Sequence, residues 1–142
     1  MAEYIANARQ SVLGGQNILF TDTAVPCNSG YVVHREGSGI FTLRGITNQC
    51  RARYRVTFGA NLGLPEDGTA PATISAAIAL NGEPVSESTM TATLREATDI
   101  QNVERTIVVD VPRGCCTQLS VRNINAQEID FINSVLTIER VA

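Results

Sequence analysis

The stretch QCRARYRVTFGANL, residues 49–62, decides the fold, because its residue types alternate one by one. Small or apolar side chains occupy every second position: Ala52, Tyr54, Val56, Phe58, Ala60 and Leu62. The intervening positions hold Arg51, Arg53, Arg55 and Thr57. Successive side chains of a β-strand point to opposite faces. The stretch therefore predicts a strand with one buried face and one face lined by guanidinium groups.

The same alternation recurs along the chain. It predicts strands at 40–44, 51–62, 73–80, 104–111, 116–122 and 134–141, and shorter ones at 17–21, 30–34, 90–94 and 129–132. Turn residues separate them, among them Asn81-Gly82 and Pro112-Arg113-Gly114. About eight to ten short strands with such turns are typical of an all-β, antiparallel two-sheet sandwich or barrel.

A chain of 142 residues suits a single domain. We expect residues 1–36 to form an N-terminal arm and the first strands, and residues 37–142 to form the main body. Residues 1–16 suit an arm or a first edge strand. The start has neither a basic segment nor a long apolar run, so we expect synthesis in the cytoplasm without a signal peptide.

The overall charge and hydropathy argue against two classes of partner. A net charge of −3 argues against a dedicated nucleic-acid binder. No apolar run reaches the roughly eighteen residues that a membrane span needs. All eleven basic residues are arginine, which suits packed interfaces because it loses its hydration more readily than lysine.

The four cysteines leave two alternatives open. With one histidine and no Cys-x-x-Cys pair, a structural zinc site is not expected. Adjacent cysteines rarely bond each other without strain. One of the pair could therefore bond elsewhere, while reduced, buried thiols are the favoured alternative. The possible disulfide partners or buried thiols are Cys27, Cys50, Cys115 and Cys116.

The sequence gives little support to catalysis. His34 is the single histidine, and the chain has no Gly-x-Ser-x-Gly elbow around a nucleophile. A pairing of His34 with a cysteine is the weakest hypothesis, since a histidine beside Arg35 and Glu36 is more typical of a surface or subunit contact. Glu66-Asp67 is too small a set for calcium. We predict neither an enzyme nor a cofactor.

The arginine face has three possible roles. Arg51, Arg53 and Arg55 would lie about 7 Å apart, a spacing that matches phosphates or acidic groups. We also expect Arg44 to extend the row from a neighbouring strand. Salt bridges across strands or between subunits are the favoured outcome, and an acidic ligand or nucleic acid are the alternatives. The acids considered for such bridges are Glu104, Asp110, Glu128 and Glu139.

Three segments together resemble the TNF/C1q-type jelly-roll family. GIFTLRGITNQCRARYRVTFGANL, residues 39–62, is similar to the family's short strand, turn and Tyr-x-Val-x-Phe strand. ISAAIALNGEPVSESTMTA, residues 74–92, is similar to its next strand and the segment that follows. SVLTIERVA, residues 134–142, resembles the closing core strand. Within this family, the C-terminal head of the collagen-like Bacillus exosporium glycoprotein and small uncharacterised proteins of gut Firmicutes and their bacteriophages look most similar.

The resemblance implies a two-sheet jelly roll that assembles as a homotrimer about a three-fold axis. Family members serve as ligands, surface heads and fibre knobs and do not catalyse. On this basis we expect a set of side chains to pack either in the core or at the trimer axis. These are Tyr54, Val56, Phe58, Ile74, Ile78, Phe131, Leu136 and Ile138.

The favoured function is that of a non-enzymatic structural protein on a particle surface, most plausibly a bacteriophage capsid decoration or head-fibre protein. It would bind other capsid or surface-layer proteins. A spore-surface protein is one alternative, since that layer is also built inside a cell. Another is a glycan- or ligand-binding module that uses loops 63–72 and 95–102, although sugar platforms favour exposed aromatic side chains and neither loop has one.

Overall fold

The computed structural model describes residues 1–27 and 29–142, and in them twelve strands and one 3-10 turn (Ser86–Ser88). The strands are β1 (Ala2–Ala6), β2 (Gln10–Val12), β3 (Asp22–Val25), β4 (Val32–His34), β5 (Phe41–Arg44), β6 (Arg51–Gly63), β7 (Ala72–Leu80), β8 (Glu83–Pro84), β9 (Met90–Leu94), β10 (Ile100–Pro112), β11 (Cys116–Asn123) and β12 (Ile129–Arg140). The predicted all-β class is confirmed.

The strands form two antiparallel sheets of six strands each. The first sheet has the order β10-β6-β12-β1-β3, with β2 beside the start of β12. The second has the order β4-β5-β11-β7-β8, with β9 beside the start of β7. Residues 1–36 contribute strands to both sheets, so they belong to the same sandwich as the rest of the chain.

The core lies between the sheets and holds the apolar face of every long strand. Tyr54, Phe58 and Leu62 of β6 point into it, and Phe20 packs edge-on against Phe58 with ring centroids 6.3 Å apart. The eight side chains expected in the core or at a trimer axis are each at most 1 % exposed within a single chain. They are core residues, and they leave no surface with which to contact another subunit.

Three sequence-based expectations differ from the structure. Residues 17–21 form only the isolated bridge Asn17–Arg122. Ile18 and Phe20 are both buried in the core, and their backbone N–H groups donate to the carbonyls of Val121 and Ser38, which lie on different segments, so no continuous ladder forms. β1 lies between β12 and β3, so it is neither an arm nor an edge strand. The strands predicted at 129–132 and 134–141 are one strand, β12, with a bulge at Asn133.

No helix of the length and apolarity that a bilayer span requires occurs in residues 1–27 and 29–142.

Candidate functional site

The arginine face lies on the outside of the first sheet, at one end of β6. Arg51, Arg53 and Arg55 point away from the core, as the alternation predicted. β10 and β12 flank β6 on its two sides, and they bring Asp110 directly opposite Arg53 and Glu139 directly opposite Arg55. Two of the four acids considered as partners thus lie beside the arginines.

Ion pairs neutralise much of this row. Arg53 donates to both carboxylate oxygens of Asp110, at 2.8 and 3.2 Å, and Arg51 Nε lies 3.1 Å from Asp110 Oδ2. Arg55 Nη1 lies 3.4 Å from Glu139 Oε2. The hydrogen bond from Arg53 lowers the pKa of Asp110, and the same bond raises the pKa of Arg53. Structural pairing, the favoured reading of the row, is what the geometry supports.

Arg44 does not extend the arginine row. It lies on β5, in the second sheet, whereas β6 belongs to the first. Its Nη1 donates to the backbone carbonyl of Gly30 at 3.3 Å. The expectation failed because residues 45–50 carry the chain across the end of the sandwich, so two strands that are close in sequence lie in different layers.

Three of the four cysteines are exposed, which contradicts the expectation of buried thiols. Cys50, Cys115 and Cys116 are exposed, Cys27 is half-buried, and all four are free. Cys50 and Cys115 belong to turns that face solvent. Cys116 begins β11 and points outward, opposite Arg44. Their positions in turns and at a strand end account for their exposure.

Backbone hydrogen bonds join residues 45–50 to the turn at 112–115, the two segments that contain Cys50 and Cys115. The N–H of Gly45 donates to the carbonyl of Cys115 at 2.8 Å, and the N–H of Arg113 donates to the carbonyl of Cys50 at 3.0 Å. A Cβ atom on residue 45 would lie 2.1 Å from the carbonyl oxygen of Pro112, so this approach requires glycine. We call this region, with Cys50, Cys115 and Cys116, the thiol end.

A cleft of about 460 Å³ opens beside the thiol end. Its lining residues are Tyr31, Ile46, Thr47, Asn48, Gln49, Arg140 and Ala142, and we call it the Arg140 cleft. The guanidinium of Arg140 lies 4.4 Å from the centre of the Tyr31 ring, a cation–π contact. Its Nε donates to a backbone oxygen of Ala142, while Nη1 has no hydrogen-bond partner among the described residues.

Cys27 is the thiol with the most perturbed acidity. Burial acts to raise its pKa, but the Ser29 hydroxyl and the backbone N–H groups of Val32, Ser29 and Tyr31 outweigh it together and lower the pKa to about 7. The Ser29 oxygen lies 3.6 Å from the sulfur. Hydrogen bonds of this kind stabilise the charged form of an acid.

A second cleft, of about 590 Å³, lies at the opposite end of the sandwich. Leu64, Pro65 and Glu66 line one side and Ala97 and Thr98 another, so it opens between the two loops nominated for ligand binding. The sequence analysis missed its polar floor, which consists of Arg9, Ser11 and Asp130. A signal was present, because Asp130 interrupts the apolar run from Ile129 to Phe131.

The floor of this second cleft is an ion pair. Asp130, whose side chain is 4 % exposed, accepts hydrogen bonds from Arg9 Nε and the Ser11 hydroxyl. Arg9 Nη2 also donates to the carbonyl of Leu64 at 2.8 Å. Arg9 itself is about half exposed and Glu66 is exposed, so a molecule in the cleft would meet both a positive and a negative charge.

His34 has a packing role that the expectation of a surface or subunit contact did not include. Its ring stacks on Phe41 with centroids 4.0 Å apart, and it meets Tyr4 edge-on at 5.0 Å. Nε2 lies 2.9 Å from the carbonyl of Ser38. Among the described residues, no three His, Cys, Asp or Glu side chains are placed to hold a metal ion.

Comparisons with known proteins place the fold. No protein-family model and no curated protein matches the chain. The globular domain of the zebrafish complement 1qA protein superposes with a TM-score of 0.66 at 10 % identity, covering 99 % of this chain and 96 % of that one. The rabbit GITRL structure gives 0.47 at 12 %, covering 100 % and 95 %. The C-terminal domain of EclA, a sugar-binding protein, gives 0.42 at 12 %, covering 94 % and 79 %.

The chain therefore has the jelly-roll fold of TNF/C1q-like domains. The two-sheet order, the long central strand β6 and the closing strand β12 agree with the resemblance drawn from the sequence. The similarity to the Bacillus exosporium head and to proteins of gut Firmicutes and their phages stays a prediction.

Proposed function

We propose that this protein is a non-enzymatic structural module that assembles as a homotrimer on the surface of a particle, in the first place a bacteriophage virion. The fold supports the coarse part of the proposal, since sandwiches of this type present two broad sheet faces for contacts. The trimer and the virion come from the resemblance found in the sequence. A surface that could take part in self-association supports them.

That surface is the middle of the outer face of the first sheet. Thr57 lies between Thr106 of β10 and Thr137 of β12, and the hydroxyls of Thr57 and Thr106 are 2.9 Å apart. The next row holds Gly59, Val135 and Ile5 and ends at Glu104, which lies opposite Gly59, while Glu3 lies opposite Thr137 in the first row. We call the uncharged residues of this region the neutral strip: Ile5, Thr57, Gly59, Thr106, Val108, Val135 and Thr137. The Arg53–Asp110 and Arg55–Glu139 pairs lie at its border.

The neutral strip is the observation that carries the proposal. Its members are small or β-branched, and Val108 is 59 % exposed in the single chain. The charged residues Arg55, Glu104 and Glu3 lie beside it, opposite Val108, Gly59 and Thr137. Burying uncharged side chains against another copy costs little desolvation, whereas buried charges have to find partners. Closed symmetric assembly also covers edge strands that would otherwise pair without limit.

Light scattering of the purified protein tests the assembly. We expect the mass of a trimer, and we expect Val108→Glu to reduce it to that of a monomer while the β-type circular dichroism persists. Val33→Glu is the matched control, since Val33 is 52 % exposed and lies on β4 of the second sheet. A monomer from the unmodified protein, or equal behaviour of the two variants, would contradict the proposal.

The particle is tested separately. We expect mass spectrometry of purified virions from the producing host to detect the chain as a stoichiometric component. Recovery from purified spore coats instead would favour the spore-surface alternative, which makes use of the same trimer. Absence from both particles would contradict the proposed location, while the light-scattering test of the trimer would stand on its own.

The second cleft favours ligand binding as another candidate function. Its half-exposed Arg9 and its position between loops 63–72 and 95–102 suit a small polar molecule such as a glycan. Binding on a glycan array that Arg9→Ala abolishes, while Arg113→Ala at the thiol end retains it, would support this function. An array without signal for the unmodified protein would exclude it.

A further inference from the structure

The thiol end combines accessible sulfur atoms with an excess of positive charge. The ends of β5, β6, β10, β11 and β12 meet there, because β6 pairs with β10 from Arg51–Pro112 onward and β11 pairs with β5 from Cys116–Arg44. Five arginines lie at or beside these ends: Arg44, Arg51, Arg53, Arg113 and Arg140. Of the neighbouring acids, Asp110 is engaged by both Arg51 and Arg53, and Glu139 by Arg55.

One of these arginines contacts the sulfur of Cys50, and another lines the cleft next to the preceding residue, Gln49. Arg51 Nη1 lies 3.7 Å from the sulfur of Cys50, while its Nε is paired with Asp110 at 3.1 Å. Arg140 lines the cleft together with Gln49, the residue that precedes Cys50, and none of the ion pairs in the described part of the chain includes Arg140. A cleft of about 460 Å³ is of the size that small-molecule sites have.

This charge also argues against a disulfide between two thiol ends. Two such ends would bring their arginines together, and like charges at close range repel. The opposite end of the sandwich has acids but no cysteine, so a head-to-tail contact would bring no second sulfur to Cys50. The chemistry at this end instead suits a partner that carries carboxylates together with its own disulfide.

We propose that the thiol end is a modification site for small, carboxylate-bearing disulfides of the glutathione type. The carboxylates bind at Arg140 in its cleft, and the disulfide reacts with Cys50. The site is independent of the neutral strip, and it adds to the proposed structural role a way to change the surface charge of one end.

The reaction is a thiol–disulfide exchange. The Cys50 thiol loses its proton to solvent, and its sulfur attacks one sulfur of the bound disulfide. The bond between the two ligand sulfurs breaks and a Cys50–ligand disulfide forms. The other half leaves as a thiolate and takes up a proton. Cys50 is oxidised and the departing half is reduced, so the ligand is itself the oxidant.

Rates of adduct formation with two disulfides test the site. Oxidised glutathione carries carboxylates, while hydroxyethyl disulfide is neutral, and intact-mass spectrometry follows both adducts. The ratio of the two rates is compared with the same ratio for N-acetylcysteine amide, a neutral reference thiol. We expect a ratio about fivefold higher for the protein, and we expect 1 M salt to remove the difference. A ratio equal to that of the reference would overturn the proposal.

Variants locate the effect. Arg140→Gln should lower the ratio to the reference value and leave the rate with hydroxyethyl disulfide unchanged, while Arg95→Gln, at the opposite end, should change neither. Peptide mapping should find the adduct on Cys50, and Cys50→Ser should remove it. A ratio that survives Arg140→Gln, or an adduct mapped mainly to Cys27, Cys115 or Cys116, would overturn the assignment. If Arg140→Gln does not fold, the salt dependence and the mapping of the unmodified protein decide.

Discussion

The hydroxyl of Tyr54 donates a hydrogen bond to the backbone carbonyl of Arg44, and so joins the central strand of one sheet to an inner strand of the other. The same hydroxyl lies 3.3 Å from the carbonyl of Tyr31. Tyr54 is fully buried, and this burial raises the pKa of its phenol. A core aromatic side chain with its polar group satisfied in this way fixes how the two sheets stack over the thiol end.

Removing this hydroxyl should destabilise the protein without opening a large cavity. Tyr54→Phe leaves the carbonyls of Arg44 and Tyr31 without this donor. We expect the free energy of unfolding to fall by about 1–2 kcal/mol, the cost of an unmade buried hydrogen bond. Urea denaturation followed by circular dichroism measures it. Tyr31→Phe is the control, and a loss for Tyr54→Phe no larger than the control's would contradict this role.

The architecture was predictable wherever one face of a strand is buried and the other is wet. β6 shows this best, since its apolar and arginine faces were assigned correctly from residues 51–62 alone. The alternation is strict because a shift by one residue would bury every arginine. The partners Asp110 and Glu139 were also among the acids considered, because opposite charges on the same outer face of neighbouring strands pair with each other.

Contacts between distant segments were not predictable in the same way. Arg9 and Asp130 are 121 positions apart, and only the pairing of β2 with β12 brings them together. Cys50 and Cys115 lie in turns, where no alternation of residue types shows whether a side chain points to the core or to solvent. Ile18 and Phe20 alternate like a strand, yet they fill the core from a segment without a continuous ladder. The alternation of residue types predicts which side chains are buried, but it does not predict which backbone hydrogen bonds form.

A cavity mutation tests the assignment of the β6 faces. Phe58 is fully buried and packs against Phe20, so Phe58→Ala should lower the free energy of unfolding by about 3–5 kcal/mol. Thr57→Ala, on the outer face of the same strand, should change it by less than about 1 kcal/mol. Thermal and urea unfolding measure both variants. A loss below about 1 kcal/mol for Phe58→Ala would mean that the faces are inverted.

The close approach at the thiol end gives a sharp test with glycine. At Gly45 a Cβ atom would lie 2.1 Å from the Pro112 carbonyl oxygen, so Gly45→Ala has to push the turn at 112–115 away. We expect a loss of about 2 kcal/mol or more, together with faster labelling of Cys115 by iodoacetamide. At Gly59 the nearest non-neighbouring atom would be 3.7 Å away, so Gly59→Ala should be neutral or slightly stabilising. Equal stabilities of the two variants would refute the packing described.

The acidity of Cys27 predicts how reactivity and stability depend on pH. Its pKa is about 7 in the folded chain, against the ordinary value of 9.0. In a variant with Cys50, Cys115 and Cys116 replaced by serine, alkylation by iodoacetamide should therefore have its midpoint near pH 7. Between these two values the unfolded chain keeps the proton that the folded chain has lost, so stability should rise with pH across this window.

The lowered pKa of Cys27 makes the protein more stable as the pH rises. The stabilisation from Cys27 is complete above pH 9.0 and is lost as the pH falls through about 7. Replacing Cys27 by serine should remove the rise, and replacing Ser29 by alanine should move the alkylation midpoint upward, because one hydrogen bond to the thiolate is lost. An alkylation midpoint near 9 in the folded protein, with no change on Ser29→Ala, would show that the hydrogen bonds around this sulfur do not hold the thiolate in solution.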